Sequence, residues 1–229
     1  MKRLTLMLLL VNLAATAIAG ESQLQKSTNV VNEIMGTPDK GIPDELLEKS
    51  VCVGIVPSEV KFAFGLGGTY GRGVLVCRNG GNGAWGAPSM FTMGAASLGF
   101  QIGGKATDVV FLVMNPEGMK KLVQDSVKLG AELSVAAGPV GRSAEGATDA
   151  QLHAEILSYS RSRGLFAGAS LDGAVYKQDR DDNEKLYRRK VTAKEILIEG
   201  TVATPRAAAG LDSALTKYSP SGGRTFARI

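Results

Sequence analysis

Apolar residues recur at near-helical spacing from Ser22 to Met35, at Leu24, Val31, Ile34 and Met35. This predicts an amphipathic helix, which Gly36-Thr37-Pro38-Asp39 ends. Pro43 stands at the start of a second short helix, DELLEKS, where its fixed φ and missing N–H do no harm. The period then changes to that of strands. VCVGIV reads as a strand stopped by Pro57, and KFAFGLGG and TYGRGVLVCR follow. After a glycine turn from Asn79 to Gly83 comes MFTMGAASLGFQIGG. DVVFLVM is apolar at almost every position and predicts a buried central strand. Pro116-Glu117 opens a short helix, PEGMKKLVQ, and strand character returns in KLGAELSVAAGPVG. LHAEILSYS reads as a strand that turns at SRSRG into LFAGASLDG. Beyond Asp179, NEKLYRRK, TAKEILIEG and PRAAAGLDSALTKY read as short helices around Pro205. The predicted fold class is α+β: a glycine-rich, strongly curved, mainly antiparallel β-sheet, barrel-like, with short helices at the N- and C-terminal ends.

The first twenty residues belong to a different pattern. Lys2 and Arg3 precede the apolar run Leu4 to Leu13, and Ala17-Ile18-Ala19 forms a small-x-small cleavage site before Gly20. That layout predicts a cleaved signal peptide over residues 1–19 and an exported, periplasmic or secreted protein. The run is shorter than the roughly 20 residues a membrane-spanning helix needs. The expected organisation is a single domain over 20–229, flanked by N-terminal helices (22–50) and C-terminal helices (181–218). Cleavage removes two cations and lowers the formal charge from +4 to +2, too small an excess to predict nucleic-acid binding.

An oxidising compartment changes the reading of the two cysteines. Cys52 and Cys77 lie in segments that read as neighbouring strands, and a disulfide between them is the favoured reading. Two buried free thiols are the alternative. With one distant histidine, His153, they do not make a four-ligand metal site.

Glycine supplies 29 of 229 residues, and 21 of these fall between Gly65 and Gly173. This concentration raises the question of phosphate loops. In GFQIGGKAT, Ala106 replaces the hydroxyl that would meet magnesium, and a strand follows where a helix is required. In GLGGTYGRG the dinucleotide register fails at Tyr70, so bends or bulges are the better account. Asp179 to Asn183 imitates the first half of a calcium loop, but Glu184 and Lys190 stand where glycine and a bidentate glutamate belong. No nucleophile–base pair is recognisable, so no catalytic residue and no cofactor are assigned.

One charge feature remains. From Val60 to Thr107 there are four cations and no acidic residue. Arg72, Lys105, Arg142, Arg161 and Arg163 stand beside glycine turns and are the candidate contacts for anionic lipid headgroups. Phe64, Phe100 and Phe166 are the candidate apolar contacts.

Longer motifs point to a family. CVGIVPSEVKFAFGLGGTYGRGVLVCR, the W-x-AP-S element from Trp85 to Ser89, LGFQIGGKATDVVFLVMN and KLGAELSVAAGPVGRSAEGATDA occur in order. With ILSYSRSRGLFAGASLDGA, whose Ser158–Phe166 block is the most diagnostic, they resemble the SYLF domain from about Gly41 to the Asn183–Tyr187 stretch. The resemblance implies a lipid-binding module; eukaryotic members bind phosphoinositides, fungal ones also bind and bundle actin, and bacterial members are mostly exported. It also implies an amphipathic N-terminal segment that helps engage membranes, whose counterpart here is Ser22 to Met35. A bacterial envelope would offer neither phosphoinositides nor actin. The expected partners are therefore anionic phospholipids or a membrane surface, with an acidic envelope protein as the alternative; nucleic acid and actin are not expected.

Overall fold

A computed structural model describes residues 22–36, 41–64, 66–98, 103–141, 148, 151, 153–162 and 165–220; for 61–64, 66, 97–98, 103–105, 162 and 165–166 it describes the backbone. Residues 22–35 form α1 and Asp44–Lys49 form α2. Four long strands follow: β1 (Cys52–Phe64), β2 (Leu66–Cys77), β3 (Ser89–Leu98) and β4 (Gly103–Val113). Then come α3 (Pro116–Leu122) and the shorter strands β5 (Ser126–Lys128), β6 (Val135–Ala137), β7 (Ile156–Ser162), β8 (Leu165–Gly168) and β9 (Val175–Gln178). Helices α4 (Arg180–Tyr187), α5 (Ala193–Leu197) and α6 (Ala209–Tyr218) complete the described chain.

The strands form one sheet in the order β5-β9-β3-β2-β1-β4-β7-β6, with β8 paired to β7. Every pairing is antiparallel except β6 with β7. The sheet curls into a half-barrel with short helices at both ends of the chain, the α+β class that the sequence predicts.

Two apolar cores lie on the two faces of this sheet. On one, Val53, Ile55, Val74, Val110 and Leu112 pack against Leu24, Val31 and Ile34 of α1, Leu47 of α2 and Leu215 of α6. On the other, Val56, Leu75, Phe91, Phe111 and Tyr176 pack with Leu122 of α3 and Ile196 of α5. DVVFLVM supplies the second half of β4, whose residues Val109 to Val113 are buried because an apolar core covers each face of the sheet there. The amphipathic segment Ser22–Met35 turns its apolar stripe into the first core.

Part of the glycine excess has a packing origin. Gly54 stands directly opposite Phe111, and Gly73 directly opposite Phe91. A Cβ at either glycine would fall inside the facing ring. The two rings meet edge-on at 5.7 Å, and Phe91 stacks on Tyr176 at 4.6 Å. These glycines are seats for aromatic rings rather than bends.

Pro57 does not stop the first strand. β1 continues through it to Phe64, with the register shifting by one residue between Val56 and Glu59 against β4. Proline lacks the N–H a regular ladder needs, so it is accommodated in a bulge. Ser58 takes a positive φ of 56° there, and its N–H donates to Asp108 Oδ1 at 2.9 Å.

Candidate functional site

The bulge has a consequence for what faces outward. Alternation along a strand has period two, so one inserted residue exchanges the faces of everything after it. Val53 and Ile55 belong to the core under α1, but beyond the bulge that face carries Val60, with Glu59 on the other side. Glu59 and Thr107 are buried, as is Met93. Val60 is 48% exposed and Tyr70, opposite it on β2, is 50% exposed. Ala106, opposite Val60 on β4, and Ala96 on β3 are exposed as well. Beyond the bulge β1 to β4 continue as a four-stranded extension, one face of which exposes Tyr70, Val60, Ala106 and Ala96.

Helix α1 crosses the sheet at the base of this face and marks where its cover ends. Near the helix start, Gln23 Nε2 donates to the backbone carbonyl of Arg72 at 2.5 Å. Toward its end, Glu33 pairs with Arg161 on β7. Arg161 also grips Asp108 with Nε at 2.8 Å and Nη2 at 2.6 Å, so one carboxylate ties β7 to the bulge that Ser58 forms. Arg72 pairs with Asp182 at 2.6 Å and Asp179 at 3.3 Å, two of the three acids at the start of α4. Asp179 also caps that helix by accepting from the Asp182 N–H at 3.0 Å. The acidic run that imitates a calcium loop is therefore a helix start held to β2 by arginine. Among the described residues no group of three or more His, Cys, Asp or Glu could hold a metal ion.

The sequence-predicted lipid contacts fall in several places. Arg72 and Arg161 lie at the two ends of α1 along the border of the uncovered face, each holding two carboxylates. Lys105 stands on β4 opposite Lys61, Phe64 at the end of β1 opposite Leu66, and Phe166 on β8 opposite Arg161. Arg142, Arg163 and Phe100 lie outside the described residues. Cys52 and Cys77 face each other across β1 and β2 and are joined by a disulfide with an S–S distance of 2.06 Å. His153 is exposed. A polar groove of about 430 Å³ beside β9 is lined by Asp125, Lys177, Arg180 and Asp181 among others, with Arg180 paired to Asp125. Sequence reasoning missed Val60, Tyr70 and Ala106. Counting alternation through Pro57 with one residue inserted would have aligned them.

Comparison with known proteins gives these residues a family setting. The family model described as "Ysc84: Las17-binding protein actin regulator" matches residues 94–218. The chain is 36% identical over 199 residues to "LAS seventeen-binding protein 3" of Saccharomyces cerevisiae, covering 84% of this chain and 42% of that protein. It is 32% identical over 220 residues to the human "SH3 domain-containing YSC84-like protein 1", covering 91% of this chain and 63% of the relative. The chain thus spans about two fifths of the yeast relative's length and under two thirds of the human one's.

These findings correct the partner expectation. It named anionic phospholipid or an acidic envelope protein and set actin aside. The matching family is described by Las17 binding and actin regulation, so the partner class that the comparisons attach to it is an actin-regulatory protein. Its description is one of binding and regulation, not of catalysis. With the family model covering more than half of the chain and relatives above 30% identity covering most of it, this chain belongs to the Ysc84 family, the SYLF-domain proteins that its motifs resemble.

Proposed function

We propose that this chain is an exported, non-catalytic lipid-binding module of its family that associates peripherally with a membrane surface. The observation that carries the reading is the uncovered row Tyr70, Val60 and Ala106, side by side on β2, β1 and β4 with no charge among them. Contiguous exposed apolar surface on a folded domain marks an interaction site. Export rests on the Lys2-Arg3 start, the Leu4–Leu13 run and the Ala17-Ile18-Ala19 site. Arg72, Lys105, Arg142, Arg161 and Arg163 are the assigned headgroup contacts, and Phe64, Phe100 and Phe166 the apolar ones. Arg72 and Arg161 each hold two carboxylates, so either reaches a headgroup only by exchanging those partners for it. The test is flotation of the mature chain with phosphatidylcholine vesicles, alone and mixed with phosphatidylglycerol. Recovery in the vesicle fraction is expected. Absence from it at every composition, at low salt, overturns lipid binding.

The relatives' printed names favour a second reading, in which the same module holds an actin-regulatory protein. Capture of purified Las17 by the immobilised chain tests it directly. No capture across a micromolar concentration series would dismiss it.

A further inference from the structure

We infer that Asn79, in the turn between β2 and β3, is a self-modifying site. Its side-chain amide is lost as ammonia through attack by the Gly80 backbone nitrogen, and water leaves an aspartate or isoaspartate in its place. This goes beyond the lipid-binding reading and does not rest on it.

Chemistry first selects three places in the sequence. A backbone nitrogen reaches the preceding side-chain carbonyl most easily when it belongs to glycine, which has no Cβ to block the approach and the freest backbone. The chain holds two Asn-Gly pairs, Asn79-Gly80 and Asn82-Gly83, and one Asp-Gly pair, Asp172-Gly173. In each the glycine N–H is the attacking group, so a hydrogen bond made by that N–H must break before reaction.

The fold treats the three differently. The Gly83 N–H donates to the Asn79 carbonyl at 2.9 Å, and the Gly173 N–H to the Leu129 carbonyl at 2.9 Å. The Asp172 carboxylate is further engaged by the Ser170 hydroxyl at 2.6 Å. The Gly80 N–H has no partner among the described residues, nor has the Asn79 carboxamide. Asn79, Gly80 and Asn82 are all exposed, so water reaches both asparagines and exposure does not choose between them. The hydrogen bond on Gly83 does.

The step balances with water alone. The Gly80 nitrogen gives its proton to hydroxide and bonds to Asn79 Cγ. The Cγ–Nδ2 bond breaks, and the amide nitrogen takes a proton from water and leaves as ammonia, closing a five-membered imide. Water then opens the ring. Attack at Cγ restores the main chain and leaves aspartate; attack at the main-chain carbonyl leaves the chain running through the side chain, as isoaspartate. Nothing is oxidised or reduced.

The position gives the product a consequence. Asn79 closes the turn from both sides, its N–H donating to the Ala84 carbonyl at 2.9 Å and its carbonyl accepting from Gly83. The residue before it, Arg78, reaches from this turn to the carbonyls of Gly83 at 3.1 Å and Ser219 at 3.2 Å, just beyond α6. Isoaspartate lengthens the main chain by one carbon and displaces the Asn79 carbonyl, so it disturbs the tie between the turn and the end of α6.

The experiment ages the mature full chain at pH 7 and pH 9, folded and in urea, and reads both asparagines by peptide mapping and mass spectrometry. In the folded chain acid is expected first at Asn79, roughly two- to tenfold ahead of Asn82, the factor that one net hydrogen bond is worth. Conversion should run faster at pH 9, where more of the attacking nitrogen is deprotonated, and the two sites should converge in urea. The aged protein should melt below an Asn79→Gln variant aged beside it, whose longer side chain does not close the five-membered ring. Equal rates in the folded chain, conversion of Asn82 first, or an Asn79 that converts in urea but not when folded would each overturn the inference. So would a lead for Asn79 that persists in urea, which traces to local sequence rather than to the fold. Equal melting of the converted protein and the variant would overturn the stated consequence at α6.

Discussion

Gly54 and Phe111 show how much one hydrogen atom decides in this sheet. The pair sits in the second core with no room for a methyl group under the ring. Gly54→Ala is expected to destabilise the protein by about 1–3 kcal/mol, the usual cost of overpacking. Combining it with Phe111→Leu should cost less than the sum of the two single changes, because the smaller side chain vacates the contested space. Denaturant melts of the four proteins in that cycle check the coupling. Arg78 is a second residue whose role is invisible to composition. It is 3% exposed and donates to the carbonyls of Ser50 at 3.3 Å, Gly83 at 3.1 Å and Ser219 at 3.2 Å. It also donates to the Ser219 hydroxyl at 2.5 Å, and its guanidinium lies 3.9 Å over the Trp85 ring, whose Nε1–H shares the Ser219 carbonyl. Burial draws its pKa below the ordinary arginine value, the signature of a cation held mainly by neutral groups. Lysine cannot reproduce this fork. Arg78→Lys should lower stability by about 2–4 kcal/mol, through buried carbonyls left without donors. Thermal unfolding followed by Trp85 fluorescence checks it.

At the scale of elements, the bulge at Pro57–Ser58 is the step that sequence reading could not take. A proline after an apolar run reads as a stop, and nothing local announces that the ladder resumes two residues later. What holds the bulge is distant in sequence: Asp108, fifty residues on, and Arg161, which ties it to β7 and α1. The elements that follow a local period were legible, among them α1, α3 and β4. The short edge strands β5 and β6, of three residues each, exist because longer neighbours offer them a partner. Asp108→Ala removes one tie from three elements at once. Faster amide exchange is expected at Ser58 and over the second half of α1, with the strand cores unchanged; uniform exchange across the sheet would contradict this local role. α3 has its own tether. Glu155 accepts from Lys121 Nζ at 2.9 Å and from the N–H of Ser134 at 2.9 Å. Burial alone would raise its pKa, but the hydrogen bonds from Lys121 and Ser134 hold it below the ordinary 4.5. A depressed folded value means the stabilisation is complete above the ordinary carboxylate value and is lost as pH falls below it. Glu155→Gln should therefore flatten the acid limb of the stability profile while lowering the plateau at neutral pH; urea midpoints between pH 3 and 7 measure both.

For the whole molecule, stability and binding are expected to reside at opposite ends of the same long strands. The Cys52–Cys77 bond joins the start of β1 to the end of β2, and both cysteines are almost fully buried. Val60, Tyr70 and Phe64 stand at the other end, with Phe64 twelve residues further along β1 from Cys52, roughly 40 Å at strand rise. The motifs that carry the family resemblance run through both ends, so sequence similarity alone cannot separate the part that holds the fold from the part that meets a partner. The geometry separates them through two changes. Replacing both cysteines with alanine frees a closed loop with a sequence separation of 25, which the chain-entropy estimate values at about 3.5 kcal/mol. That variant should melt earlier yet bind vesicles like wild type wherever it remains folded, because the extension lies far from the bond. Val60→Asp with Tyr70→Asp should behave in the opposite way, keeping the melting temperature and losing the vesicles. Denaturant unfolding and flotation on the same two proteins decide the matter. If the cysteine variant loses binding while still folded, the extension is not an independent contact element but depends on the closure of the β1–β2 end by the disulfide.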